Sequence, residues 1–180
     1  MRLVTFTTLC LSTGLALAAV AVAADKGAKK PKTPAWTDDP DKMEVPDAKA
    51  SGKIHGKPFT VQEARLENGV LTLRRGTDLF PDLAVDVMLW IKQDEKPEGK
   101  KVTVTPDQTA GVPLIRLQWR DKPGAKGGPP KQAHFKNGYA LLLEMGDRTG
   151  DRIAGKIYIC LPDDEKSVVA GTFEAVEKNK

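Results

Sequence analysis

Beyond position 50, apolar and polar residues alternate with a period of two. Ile157, Ile159 and Leu161 alternate with Lys156, Tyr158 and Cys160, the pattern of a strand with one buried face. A polar turn follows, Pro162 to Ser167, with three successive acids. Val168 to Val176 resumes strand composition, with Gly171 at a bulge or close-packing position. Two long strands joined by a short loop pair antiparallel, and other elements must cover their apolar face.

The same pattern predicts strands upstream, at Ser51 to His55, Phe59 to Glu67, Val70 to Arg74, Ala84 to Ile91, Lys101 to Thr105, Leu114 to Arg120, His134 to Lys136 and Tyr139 to Met145. Asn68-Gly69 is the signature of a type I′ hairpin turn. A two-residue loop sets Glu67 opposite Val70, Leu66 opposite Leu71 and Ala64 opposite Leu73. Phe59 and Val61 have the opposite parity from Ala64 and Leu66, which predicts a bulge near Gln62-Glu63. A second Asn-Gly, at 137 and 138, joins His134 to Lys136 to the strand that opens at Tyr139. Asp121 to Lys131 (DKPGAKGGPPK) has no apolar anchor and reads as a mobile loop. No stretch after Ala24 sustains a period of 3.6. The expected fold is therefore all-β, an antiparallel β-sandwich of about nine strands, with an open β-barrel as the alternative.

The first residues change the picture of where this domain works. Met1-Arg2 is followed by an uncharged run to Ala24, ending in Ala21-Val22-Ala23-Ala24 before Asp25. That is the layout of a cleaved signal peptide, so we expect an exported protein, periplasmic, extracellular or at the cell surface. An uncleaved anchor is the competing reading, because the run is long enough to span a bilayer. Its threonines and serine dilute its hydrophobicity and favour cleavage, after which no membrane anchor remains. The expected organisation is a signal peptide over 1–24, a disordered Pro/Lys/Asp-rich linker over 25–49, one all-β domain over 50–177 and a tail over 178–180. Trp36 stands out in the linker, either as a tether packed on the domain, the favoured reading, or as a stacking ligand for a partner.

Cleavage removes Cys10 and leaves Cys160 without an intramolecular partner, so stability must come from a core. The chain has 28 basic and 24 acidic residues. The excess is mild, spread out and poor in interleaved aromatics, which argues against nucleic acid as a partner.

The order G-x-I-x-G-x-x-F (Gly52 to Phe59), an Asn-Gly hairpin and a terminal A-G-T-F-E-A (Ala170 to Ala175) resembles small secreted bacterial β-sandwich-like domains of unknown function. The resemblance implies an exported β domain and supplies no activity, cofactor or site residue.

Candidate chemistry is sparse. His55 and His134 are the only histidines and lack the close spacing of a zinc site, so no metal and no cofactor are expected. Ser51 and Ser167 are the serines left after cleavage, and neither lies in a nucleophile elbow. Asp86 sits inside a strand; it reads as solvent-facing, with a buried carboxylate paired to Arg116 or Arg65 as the alternative. The acidic loops Gly146 to Asp151 and Asp163 to Glu165 depart from calcium-loop order and read as solvated turns. Trp90 and Tyr158 share a parity opposite the apolar face and are candidate ligand-binding rings, joined by Trp119. The expected function is a non-catalytic binding, interaction or structural module with an unknown protein or polysaccharide partner. The alternatives are a carbohydrate-binding module built on those rings and a small metal-dependent or hydrolytic enzyme built on Asp86, His134 or Cys160.

Overall fold

The computed structural model describes residues 33–76, 78–91, 95–122 and 129–178. The expected signal peptide, the first part of the linker and most of the loop 121–131 lie outside the described residues. Eleven strands follow a 3-10 turn at Pro40–Lys42: β1 (Ser51–Ile54), β2 (Lys57–Thr60), β3 (Glu63–Glu67), β4 (Val70–Arg75), β5 (Leu83–Met88), β6 (Lys101–Val104), β7 (Leu114–Trp119), β8 (Lys131–Phe135), β9 (Ala140–Thr149), β10 (Arg152–Cys160) and β11 (Val168–Lys178).

All of them belong to one sheet, ordered β6-β9-β10-β11-β3-β4-β5-β7-β8 and curled into a half-barrel, with β1 and β2 branching from β11. The all-β expectation holds. The sandwich does not: one sheet curls over its own core in place of two stacked sheets. The sheet is also mixed, because β3 runs parallel to β11 from Ala64 opposite Ala175 to Glu67 opposite Lys178. Period-two alternation reports one buried face and is identical for a stacked and a curled sheet.

β11 supports this arrangement. One edge pairs with β10 from Val176 opposite Arg152 to Val168 opposite Cys160. The other edge is shared. β1 takes Val168 to Ala170, residues 48–50 bond to Thr172, and β3 takes Ala175 to Lys178. Gly171 permits the handover. Its φ is +135°, and a Cβ there would lie 2.4 Å from the Ala48 carbonyl oxygen and 2.7 Å from Ala50 Cα, a backbone approach that only glycine allows.

The Asn68-Gly69 turn takes positive φ at both residues, 51° and 73°, as type I′ requires. Leu66 faces Leu71 and Ala64 faces Leu73, the expected register. The parity break near Gln62 is a change of partner and not a bulge. β2 pairs with β1, β3 pairs with β11 and β4, and Val61 and Gln62 turn the chain between them. Asn137-Gly138 makes no hairpin, for β8 pairs with β7 and β9 pairs with β6 and β10. β5 ends at Met88, so Leu89 to Ile91 leave the predicted strand, with the Leu89 amide donating to Gly69 O.

Asp86 corrects another expectation. It is 0% exposed on β5. Its Oδ2 accepts from Arg116 Nε at 2.6 Å and Gln118 Nε2 at 2.8 Å, and its Oδ1 from Thr72 Oγ1 at 2.7 Å. Thr72 and Arg116 are its direct cross-strand partners on β4 and β7. Neighbours on either side supply three donors and remove water, which makes a charged strand position burial-compatible. Asp86→Ala leaves Arg116 and Gln118 without their acceptor, so we expect a loss of about 3 kcal/mol in urea unfolding. A loss under about 0.5 kcal/mol would mean that the network contributes no net stability.

Candidate functional site

The rings singled out in the sequence do not form a platform. Trp90 is 68% exposed, just past β5, with φ +52°. Tyr158 is 1% exposed on β10, four strand positions away in the sheet order. Trp119 on β7 stacks on the His55 ring with centroids 4.1 Å apart. The parity of Tyr158 does point it away from the main core, but another segment of the chain covers it.

That segment is the second half of the expected linker. Residues 33–49 lie over the outer face of β9, β10 and β11, where Trp36, Met43 and Val45 pack on Ala140, Tyr158, Cys160, Val168 and Ala170. Trp36 acts as the tether: its indole N–H donates to Leu161 O at 2.9 Å, and Lys166 Nζ lies 4.2 Å from its ring centroid. The Tyr158 hydroxyl accepts from the Thr37 amide at 2.9 Å and donates to Ala35 O at 2.7 Å. Cys160 Sγ donates to Thr37 O at 3.0 Å. Burial pushes the Cys160 thiol from its ordinary value near 9 up to about 11 and the Tyr158 phenol from 10 up to about 12. A thiol sealed and held protonated in this way is a poor nucleophile.

The other candidate groups are dispersed. His134 lies exposed on edge strand β8, Asp86 is buried on β5 and Cys160 is under the strap on β10. Near Ser167 the chain does bring Ser, His and Asp together. Its hydroxyl, however, accepts from the His55 backbone amide at 2.8 Å and donates to Asp163 Oδ2 at 2.6 Å. The His55 imidazole is turned onto Trp119, so no base addresses the serine. Among the described residues no group of three or more His, Cys, Asp or Glu is placed to hold a metal ion. A small cavity of about 270 Å³ opens here, lined by His55, Trp119, Phe135, Asp163, Asp164 and Glu165 among others.

The larger feature is one the sequence reading missed. A groove of about 680 Å³ opens where residues 48–50 and β3 diverge along β11. Its rim is formed by the exposed Lys49, Lys101, Glu144, Arg152, Lys156 and Glu174, and it reaches down to the almost fully buried Val61, Ala64, Met145, Gly155 and Phe173. Two local devices shape it. The β9–β10 register slips between Ile153 and Gly155, and such a bulge bends the sheet. Gly155 carries no side chain, and a Cβ there would stand 2.3 Å from the Phe173 ring. On the rim Lys101 pairs with Glu144 at 3.0 Å and Arg152 with Glu174 at 3.5 Å. Lys49 and Lys156 make no ion pair among the described residues, so the rim carries an excess of two positive charges. The only sequence signals for this site were Gly155 and Gly171 inside strands; the convergence itself is set by pairing partners distant in the chain.

Comparison of the chain with protein-family models, curated proteins and solved structures finds no match in any of the three.

Two outcomes are expected of the strap and the buried acids. Trp36→Ala should cost about 1–3 kcal/mol, for the ring is partly buried, and should speed modification of Cys160 by a thiol reagent at pH 8 at least tenfold; an unchanged rate would show that the strap does not seal the thiol. The buried phenol of Tyr139 is also pushed up to about 12. Cys160, Tyr158 and Tyr139 are acids whose anions the fold disfavours, so the unfolded chain loses these protons first. Between about pH 9 and 12 it then binds fewer protons than the native state, and stability falls as pH rises; below that window these groups contribute fully. Urea midpoints at pH 8, 10 and 11 should decline, and a flat series would contradict the assignment.

Proposed function

We propose that the protein is an exported, non-catalytic binding domain that takes its ligand in the groove beside β11. The observation that carries this reading is the groove itself. Its volume lies in the range of small-ligand sites, and the charged side chains around it can fix a ligand's orientation. Its walls come from strands with tight cross-strand pairing, so the site is largely preformed. The dispersal of Asp86, His134 and Cys160 adds support for a role in binding, because a hydrolytic site needs a nucleophile and base within hydrogen-bond reach of each other. Export follows from the leader-like run over 1–24.

The test is a thermal-shift screen of the exported protein against soluble polysaccharides, amphiphiles and small anions, run in parallel on Ala154→Trp. Ala154 is an exposed rim residue on β10, so a bulky ring there fills the groove without entering the core. A ligand of this site raises the melting temperature of the parent chain by mass action and has no effect on the variant. Shifts that persist in Ala154→Trp would place binding elsewhere and overturn the reading.

A further inference from the structure

The smaller cavity shares no lining residue with the groove beside β11. It lies at the open edge of the half-barrel. β8 ends the sheet order, so its inward-facing Ala133 and Phe135 have a strand neighbour on one side only. Their partners Leu117 and Ile115 are buried, whereas Ala133, Phe135 and, at the end of β7, Trp119 stay partly exposed. These residues give the cavity its apolar lining, and the His55 ring beside them is stacked on Trp119. The β10–β11 turn contributes Asp163, Asp164 and Glu165. That turn is held in place. Asp163 Oδ1 accepts from the Ser167 amide at 2.7 Å, Asp163 Oδ2 from the Ser167 hydroxyl, and the same hydroxyl accepts from the His55 amide. Gly56, with φ +71°, makes room for Glu165, for a Cβ there would stand 2.7 Å from Glu165 Oε2. Asp163 is spent on these bonds. Asp164 and Glu165 make no ion pair among the described residues. The cations at adjoining positions are engaged elsewhere: Lys57 Nζ donates to Asp121 O at 3.2 Å, Lys131 pairs with Asp121 at 2.8 Å, and Lys166 lies over Trp36.

We propose that this cavity binds an organic ammonium ion, its charge balanced by Asp164 and Glu165 and its alkyl part laid on the rings of Trp119 and Phe135. Three features converge on that chemistry. The carboxylates lack a counter-charge, aromatic rings attract cations through their π faces, and the volume of about 270 Å³ falls just under the range of drug-sized ligands. A metal ion gains nothing from the rings and finds no group of three ligating side chains among the described residues. A neutral hydrocarbon leaves the carboxylates uncompensated, and an anion is repelled by them. The ammonium group belongs either to a free amine or to a lysine side chain of a polypeptide, and both present the same head on a short hydrocarbon stem. The inference is independent of the groove reading above.

The experiment is an NMR titration of the exported protein, followed at the Trp119 indole N–H and the Gly56 amide. The probes are butylammonium, its uncharged isostere butan-1-ol, the ammonium ion, and a blocked tripeptide with a central lysine. Butylammonium should shift both signals saturably and bind about tenfold more tightly than butan-1-ol or ammonium. Its affinity should fall about tenfold in Asp164→Asn/Glu165→Gln. It should also fall in Phe135→Leu, which keeps apolar volume and removes the ring. Asp164 and Glu165 are exposed, so the double variant should keep the parent melting temperature. Ala154→Trp, which fills the groove, should leave the titration unchanged. Loss of butylammonium binding in that variant would move the site to the groove and overturn this inference. Equal affinity for butan-1-ol, equal affinity for ammonium, an unchanged affinity in the double variant or no shift with butylammonium would overturn it too, and none of these outcomes touches the groove reading. With butylammonium bound as expected, the same shifts on adding the tripeptide would identify a lysine side chain as a source, and a silent tripeptide would confine the source to free amines.

Discussion

One edge of β11 serves three partners, and most of the molecule follows from that. β1 takes the beginning of the edge, the end of the strap takes the middle and β3 takes the end. β1 continues into β2 and β3 into β4, so the two strands that share this edge lead to different neighbours on their far sides. That divergence throws β1 and β2 off the main sheet path and commits the remaining strands to curl around the core that forms between them. Gly171 makes the middle of the handover possible, since any side chain there would overlap the Ala48 and Ala50 backbone. The groove is the space left where the partners separate, so the candidate site and the curl have one cause.

The strap solves a second problem. The outer face of β9, β10 and β11 carries Leu142, Tyr158, Cys160, Val168 and Ala170, an apolar patch that a one-sided sheet would leave in water. Residues 33–49 cover it with three side chains and a series of backbone bonds. Its three prolines at 34, 40 and 46 restrict the free segment, so less entropy is lost on docking. Trp36, bonded through its N–H and capped by Lys166, fixes where the strap begins, and Lys49 brings its end to the groove.

Reading the sequence worked where physics is local. Asn68-Gly69 set its turn and register because adjacent residues and a two-residue loop suffice. The same dipeptide at 137–138 joins strands that do not pair, because β8 and β9 each find better edges elsewhere in the sheet. Asp86 illustrates the limit at one residue. Its strand position was legible, but its burial depends on Thr72, Arg116 and Gln118, brought alongside only by pairing. Tyr158 was placed on the correct face and still misjudged, since the residues that cover it are about 120 positions earlier.

What the sequence by itself determined is the all-β class, most strand positions and the first hairpin. These rest on periodicity and turn chemistry within a few residues. Tertiary structure decided that the strands form one curled sheet with a parallel pair, that the proline-rich segment docks, and that four lysines and arginines meet two carboxylates around one groove. Each of those depends on which distant edges pair, and side-chain alternation is the same for every way of pairing them.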